Sequence, residues 1–126
     1  MVVLKRKSFT RWQAAERLSD AVLCGAVREM ECGLVVADLG GHLYKLRVAR
    51  PGGGKRDGYR TLLSARIGSR HVFLHGYPKS DKANITDAEK KALQFTGKVF
   101  LDLKESALLS ALQSGVLIEV NCEQTH

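Results

Sequence analysis

Residues 59–78 constrain this chain more than any other stretch. Two runs of strand formers, 59–67 and 70–78, flank Gly68-Ser69, which has the composition of a two-residue hairpin turn. A hairpin of this length commits the chain to an antiparallel sheet. A two-residue turn also sets the register, so that Arg66 faces His71, Ser64 faces Phe73, Leu62 faces His75 and Arg60 faces Tyr77. The opposite side then collects Thr61, Leu63, Ala65 and Ile67 with Val72, Leu74 and Gly76, which marks it as the core face. Arg60, His75 and Tyr77 gather on the less apolar face, at the end away from the turn. Arg66 and His71, beside the turn, read as a solvated rim.

The neighbouring segments extend the sheet. Residues 34–39 and 43–49 flank Gly40-Gly41, a second tight-turn signal. Alternation along 43–49 puts Leu43, Lys45, Arg47 and Ala49 on one face, and Tyr44, Leu46 and Val48 on the other. Lys45 and Arg47 therefore project together. Upstream the period is helical. A first helix is expected from about Thr10, capped by Ser8 or Thr10, with Trp12, Ala15 and Leu18 in line. Ser19-Asp20 breaks it and caps a second over 21–31, where Leu23, Val27 and Met30 form one stripe and Gly33 stands just past the end.

Downstream, Thr86-Asp-Ala-Glu89 has the form of a capping box. Its helix is expected to turn Ala92, Phe95, Val99 and Leu103 inward. A shorter helix over 106–113 and a strand over 116–120 complete the chain. The order is helices, antiparallel strands, helices, strand. This is an α+β layout: an antiparallel or mixed sheet of four to five strands, an N-terminal helical hairpin and C-terminal helices. With 126 residues, we expect one domain over 1–126.

Charge is uneven along this frame. Between His42 and Lys82 there are ten Lys or Arg against two acids, a local +8, so the whole net charge of +7 belongs to that segment. Such a stripe fits a polyanion partner and equally fits a solvated surface. The glycine-rich loop at 50–58 adds Arg50, Lys55 and Arg56. Gly54-Lys55 is not a phosphate loop, because the required glycine five residues earlier is Ala49 and the residue after is Arg56. No nucleotide or other cofactor is expected. No apolar run approaches the roughly 20 residues of a membrane helix, and the start lacks the charge-then-apolar order of a signal peptide. Cys24, Cys32 and Cys122 contain no CxxC pair and none of the short paired spacings that zinc needs, and their odd number argues against a disulfide framework. A reducing cytoplasm fits best.

Cleaving RNA without a metal requires a base for the ribose 2′-OH, a positive clamp on the phosphorane and an acid for the leaving 5′-oxygen. A guanidinium matches phosphate oxygens, which suits Arg60 to the clamp, with Lys45 and Arg47 beside it. Lys45 among cations is a candidate base. His75 titrates near neutrality without help, although a histidine on a sheet face is more often a hydrogen-bonded surface group. Tyr77 is either a stacking platform for a base or core packing.

The spaced motifs Ala37-Asp-Leu-Gly-Gly41, Lys45 through Arg50-Pro-Gly-Gly-Gly-Lys55, Gly58-Tyr-Arg60, Gly76-Tyr-Pro-Lys-Ser-Asp-Lys-Ala-Asn-Ile85 and Gly115-Val-Leu-Ile-Glu-Val120 occur in order over 34–120. In these the chain resembles the RelE/HigB toxins of bacterial type II toxin–antitoxin modules. The resemblance implies a concave sheet that holds mRNA, usually in the ribosomal A site, and cuts it without metal. It also implies an antitoxin partner, usually with a helix-turn-helix and encoded beside the toxin. Carried over by position, the basic family residues fall on Lys45 and Arg47, the transition-state arginine on Arg60, and the basic residue beyond the last hairpin strand on Lys79. Arg50, Lys55, Arg56, Tyr77 and Lys82 would contact substrate. Ile85 stands where some members carry a tyrosine that stacks on the cleaved nucleotide, so Tyr77 or His75 substitutes for it, or this branch cuts differently or weakly. Two rival expectations are an RNA-binding module without turnover and a relative that poisons DNA gyrase.

Overall fold

The structure, a computed structural model, describes residues 2–34, 37–53, 58–79 and 85–122. Among them, six strands form one mixed sheet. Its first strand, β1 (Val2–Arg6), has no counterpart in the sequence expectations. It runs parallel to β5 (Arg70–Pro78), with Val3 opposite His71 and Lys5 opposite Phe73. On its other edge it is antiparallel to β6 (Leu117–Glu119). A five-residue run with two charges has little strand signal of its own. It is a strand because β5 and β6 offer partners on both edges, while Val3 and Leu4 bury themselves on opposite faces.

Helix α1 (Lys7–Ala15) follows directly, three residues before the expected start at Thr10. Arg6 occupies the N-cap without a side-chain cap, because the strand hands its backbone straight to the helix. The helix also ends before Leu18, which is buried beyond it. Helix α2 (Asp20–Glu31) forms as expected. The Ser19 hydroxyl accepts from the Val22 N–H, Leu23, Val27 and Met30 are buried, and Gly33 takes φ +91°.

The remaining strands are β2 (Ala37–Gly40), β3 (Leu43–Val48) and β4 (Tyr59–Arg66), giving the order β2-β3-β4-β5-β1-β6. The β2–β3 turn lies one residue later than expected. Gly41 and His42, at φ +58° and +64°, are its central pair, and a register shift joins Gly40 to Leu43. Two left-handed residues in succession match the twist of the flanking strands.

The β4–β5 register corrects the expectation in half its length. Arg60 opposite Tyr77 and Leu62 opposite His75 are as read, but Leu63 pairs with Phe73, leaving Leu74 without a partner on β4. Nearer the turn, Ser64 faces Val72 and Arg66 faces Arg70. The turn has three residues, Ile67 to Ser69, with Gly68 at φ +82°. A bulge in β5 absorbs that one-residue offset, so the open end keeps the expected pairing. It also turns Val72 and Leu74 onto the face of Leu62, which is buried rather than polar over that half. His71 is sent to the opposite face, fully buried, with Nε2 2.9 Å from the Glu31 carboxylate. It is no solvated rim.

Helices α1 and α2 cover one face through Phe9, Leu23, Val27, Leu46, Leu63 and Phe73. Helices α3 (Asp87–Leu101) and α4 (Glu105–Ser114) cover the other through Leu43, Leu62, Val72, Leu74, Leu93 and Leu101. Each fully buried Leu or Phe contributes about 1.5–3 kcal/mol. The first face also encloses Lys5, whose ammonium donates to Gln13 and Asp20 at 2.8 and 2.9 Å. Burial alone would raise the Asp20 carboxyl, but hydrogen bonds from Gln13, the Asn121 N–H and Lys5 outweigh it and hold it below the usual carboxylate range.

The capping box forms, with Thr86 and Glu89 bonding each other's backbone N–H at 3.1 and 2.8 Å. The inward stripe of α3 is Leu93, Gly97 and Leu101, not the expected Ala92, Phe95, Val99 and Leu103; Phe95 is 72% exposed. Gly97 causes the difference. A Cβ there would stand 1.7 Å from Ser64 Oγ, so the helix turns its glycine to β4 and comes close, and the larger apolar residues rotate outward. Helix α4 ends at Gly115, φ +80°, and β6 is shorter than the expected 116–120.

Cys24 and Cys122 form a disulfide, which overturns the expectation from their odd number; Cys32 is left as an exposed thiol. An odd count excludes one cysteine from pairing, not all three. No helix among the described residues is long and apolar enough to cross a membrane.

Candidate functional site

Three adjacent strands place the basic residues in rows. Arg47, Arg60 and Tyr77 share one row across β3, β4 and β5, and Lys45, Leu62 and His75 share the next. Neighbouring strands are about 4.8 Å apart, so the five polar groups occupy a patch two strand spacings wide. All lie on the α3 side of the sheet, at the end that the bulge leaves in its expected register. Close packing of α1 supports this end from behind: a Cβ on Gly76 would stand 2.3 Å from the Trp12 ring, so only glycine admits the indole there.

Arg60 is half-buried. Burial lowers its pKa, and the facing Arg47 charge lowers it further, while Tyr77 opposes them. Like charges directly opposite on a ladder are destabilising, and a bound anion reverses that sign. The His75 and Tyr77 rings are 5.9 Å apart between centroids. Tyr77 itself is buried at 6% exposure. It walls a cavity of about 190 Å³ lined also by Leu39, Lys45, Leu62, Ile85, Asp87 and Lys90. Tyr77 is therefore packing and wall together, and Ile85 closes the same cavity from the α3 side.

The other sequence candidates separate. Lys79 is exposed just beyond β5, its N–H donating to the Gly58 carbonyl at 3.2 Å. Arg50 is not with the cluster. Its guanidinium lies 5.4 Å over the Tyr59 ring, on the α1 side of the sheet. Tyr59 donates its hydroxyl to Glu16 at 2.7 Å, and that bond, followed by burial, raises the phenol pKa against the opposing Arg50 charge. Lys55, Arg56 and Lys82 lie outside the described residues.

Asp87 and Lys90 are site-lining residues that the sequence reading missed. Both sit in the first turn of α3, with Lys90 Nζ 4.0 Å from the Asp87 carboxylate. Lys90 falls on the same helical stripe as Leu93 and Gly97, so recognising Gly97 as the contact residue would have found it.

The sequence model of a family described as RelE toxin of RelE / RelB toxin-antitoxin system matches residues 1–120. The chain belongs to the RelE toxin family. It is thus a toxin of a toxin–antitoxin module, with an antitoxin as cognate partner. The match to this RelE-type toxin takes in β1 and both N-terminal helices, upstream of the motifs at 34–120. A search of curated proteins returned no match.

Proposed function

We propose that this RelE-type toxin is a cytoplasmic mRNA endoribonuclease that works at the ribosome without a metal, with residues 1–126 acting as one domain. The observation that carries the reading is the cross-strand pair Arg47–Arg60, with Lys45 and His75 in the next row. Lys45 is on β3 and His75 on β5, so they stand on either side of the central strand β4, one row along from Arg60. In-line displacement needs that arrangement: a base on one side of phosphorus, an acid on the other and a clamp between.

In this reading Lys45 and His75 divide the proton transfers. One removes the proton from the ribose 2′-OH, whose oxygen attacks the adjacent phosphorus. Arg60 holds the non-bridging oxygens as charge builds, helped by Arg47. The other group protonates the departing 5′-oxygen. The products are a 2′,3′-cyclic phosphate and a 5′-hydroxyl. Lys79, exposed beyond β5, is a further donor at the patch edge. Lys55, Arg56 and Lys82 extend backbone contact, whereas Arg50 serves Tyr59 instead. The antitoxin is expected to carry a helix-turn-helix and to be encoded beside the toxin.

A second reading, RNA binding without turnover, is favoured by Ile85, which brings no ring or hydroxyl to orient a nucleotide. A gyrase poison is disfavoured by the Lys45, Arg47 and Arg60 set. Induced expression with primer extension separates the three. New mRNA 5′ ends inside reading frames, lost with Arg60→Ala, support the nuclease. Intact mRNA with a DNA-damage response supports the gyrase poison. Intact mRNA and normal growth, with RNA affinity that Arg60→Ala reduces, support the binding module.

A further inference from the structure

Beyond the basic segment at 42–82, one more arginine reaches this face. Arg6 ends β1, and Leu4 two residues earlier and its own cross-strand partner Leu117 both belong to the core beneath α3 and α4, so Arg6 shares their side of the sheet. The parallel register with β5 ends at Lys5 opposite Phe73, which sets Arg6 beside the bulge at Leu74 and next to His75. Arg6 thus stands on β1 level with the bulged residue that precedes His75.

The bulge also orients the side chain. Leu74 has no partner residue on β4, and its carbonyl accepts the Arg6 Nε–H at 2.6 Å. That bond fixes the guanidinium plane and uses one of its five N–H donors. Among the described residues no carboxylate lies within ion-pair distance of Arg6, and no other acceptor takes its terminal nitrogens. Burial lowers its pKa. The buried lysine of the same strand is different: Lys5 has Asp20 at 2.9 Å. A pre-oriented guanidinium with both terminal nitrogens to spare, beside a basic cluster, is built to receive an oxyanion.

We propose that Arg6 binds the RNA backbone at the phosphate neighbouring the one held by Arg60, so that the strand crosses the sheet from β3 toward β1. The inference rests on the nuclease reading above. Arg60 on β4 and Arg6 on β1 are two strand spacings and one row apart, roughly 12 Å, which favours two phosphates over one.

The test uses the full chain and an RNA oligonucleotide made uncleavable by 2′-O-methylation, with affinity measured across a salt series. Arg6→Gln is expected to weaken binding about tenfold and to flatten the plot of log affinity against log salt by about 0.7, the loss of one phosphate contact on a single strand. Arg6→Lys keeps the charge and is expected to keep the slope. In parallel, the unmodified protein is treated with an arginine-selective dicarbonyl with and without the oligonucleotide. Protection of Arg6 and Arg60, but not Arg70, is the expected pattern, and it requires no variant to fold. Unchanged affinity and slope in Arg6→Gln, or an Arg6 that reacts equally with and without RNA while Arg60 is protected, overturns the proposal and leaves the nuclease reading standing. If Arg60 is not protected either, and Arg60→Ala cleaves like the parent, the nuclease reading itself has failed and the role of Arg6 falls with it.

Discussion

Two cross-strand pairs of arginines stand at opposite ends of β4, Arg66–Arg70 with β5 at the turn end and Arg47–Arg60 with β3 at the open end, and their surroundings differ. At the turn end Arg66 and Arg70 serve helix α3. Arg66 donates to the Leu101 carbonyl at 2.8 Å and pairs with Asp102, and Arg70 donates to Phe100, Leu101 and Leu103 at 2.8, 3.2 and 3.0 Å. They satisfy carbonyls that a helix C-terminus leaves open and complement its negative dipole end. At the open end Arg47 and Arg60 face each other, and after burial the Arg47 charge is the next cause that lowers the Arg60 pKa. The +8 segment is therefore a mixture. Some of its charge holds the fold together, and the rest is the part proposed to meet RNA.

Exchanging the two pairs by mutation should separate these roles. The largest effect is expected from Arg60→Ala, which removes the clamp: RNA cleavage by purified toxin falls about 10²- to 10³-fold without a fall in melting temperature. A cleavage rate within threefold of the parent would end the catalytic assignment. Arg70→Ala should do the reverse. Removing a charged donor from three carbonyls costs about 1.5–3 kcal/mol of stability, read by denaturant melts, while the salt slope of RNA binding stays as in the parent. A slope change there would dissolve the distinction between the two ends. Arg47→Ala is expected to flatten that slope by about 0.7 and to stabilise the free protein by about 0.2–1 kcal/mol through relief of like-charge repulsion.

The smallest effect sharpens the turn end alone. Lys98 and Arg66 hold the Asp102 carboxyl at about 2, below its ordinary 3.8. Because the folded value is the lower one, the native state prefers the carboxylate. Its contribution is complete above about pH 4 and is lost as pH falls toward 2. The melting difference between the parent and Asp102→Asn should therefore shrink over that window. A difference that persists at pH 2 would mean that the carboxylate charge is not what Arg66 and Lys98 use.

What could be read from the chain divides by the range of the interactions involved. Ser19 capping α2, the Thr86–Glu89 box and the Arg60–Tyr77 and Leu62–His75 pairs were legible, since each depends on a few adjacent residues or on simple alternation. The same alternation brought Lys45, Arg47, Arg60, His75 and Tyr77 together correctly. Strand β1 was not legible, because its partners lie far along the chain in β5 and β6. The bulge at Leu74 leaves no mark on hydrophobicity, yet it decides that His71 is buried against Glu31. Phe95 and Val99 misled because periodicity finds a stripe without saying which stripe meets the sheet; Gly97 decides that. Cys24 and Cys122, 98 residues apart, pair for reasons no spacing encodes. Asp87, Lys90 and Arg6 escaped notice for the same cause, their placement being set by the docking of α3 and the seating of β1.

The seating of β1 has a consequence for how such a toxin is made. The first strand lies between the fifth and the last in space, and among the described residues β6 pairs with β1 alone. During synthesis β1 is made before either neighbour and waits for both. The sheet is complete only after β6 has left the ribosome, and pairing over such sequence distances is slow even then. The strand that carries Arg6 is thus held on both edges only once the last of the described strands has been made.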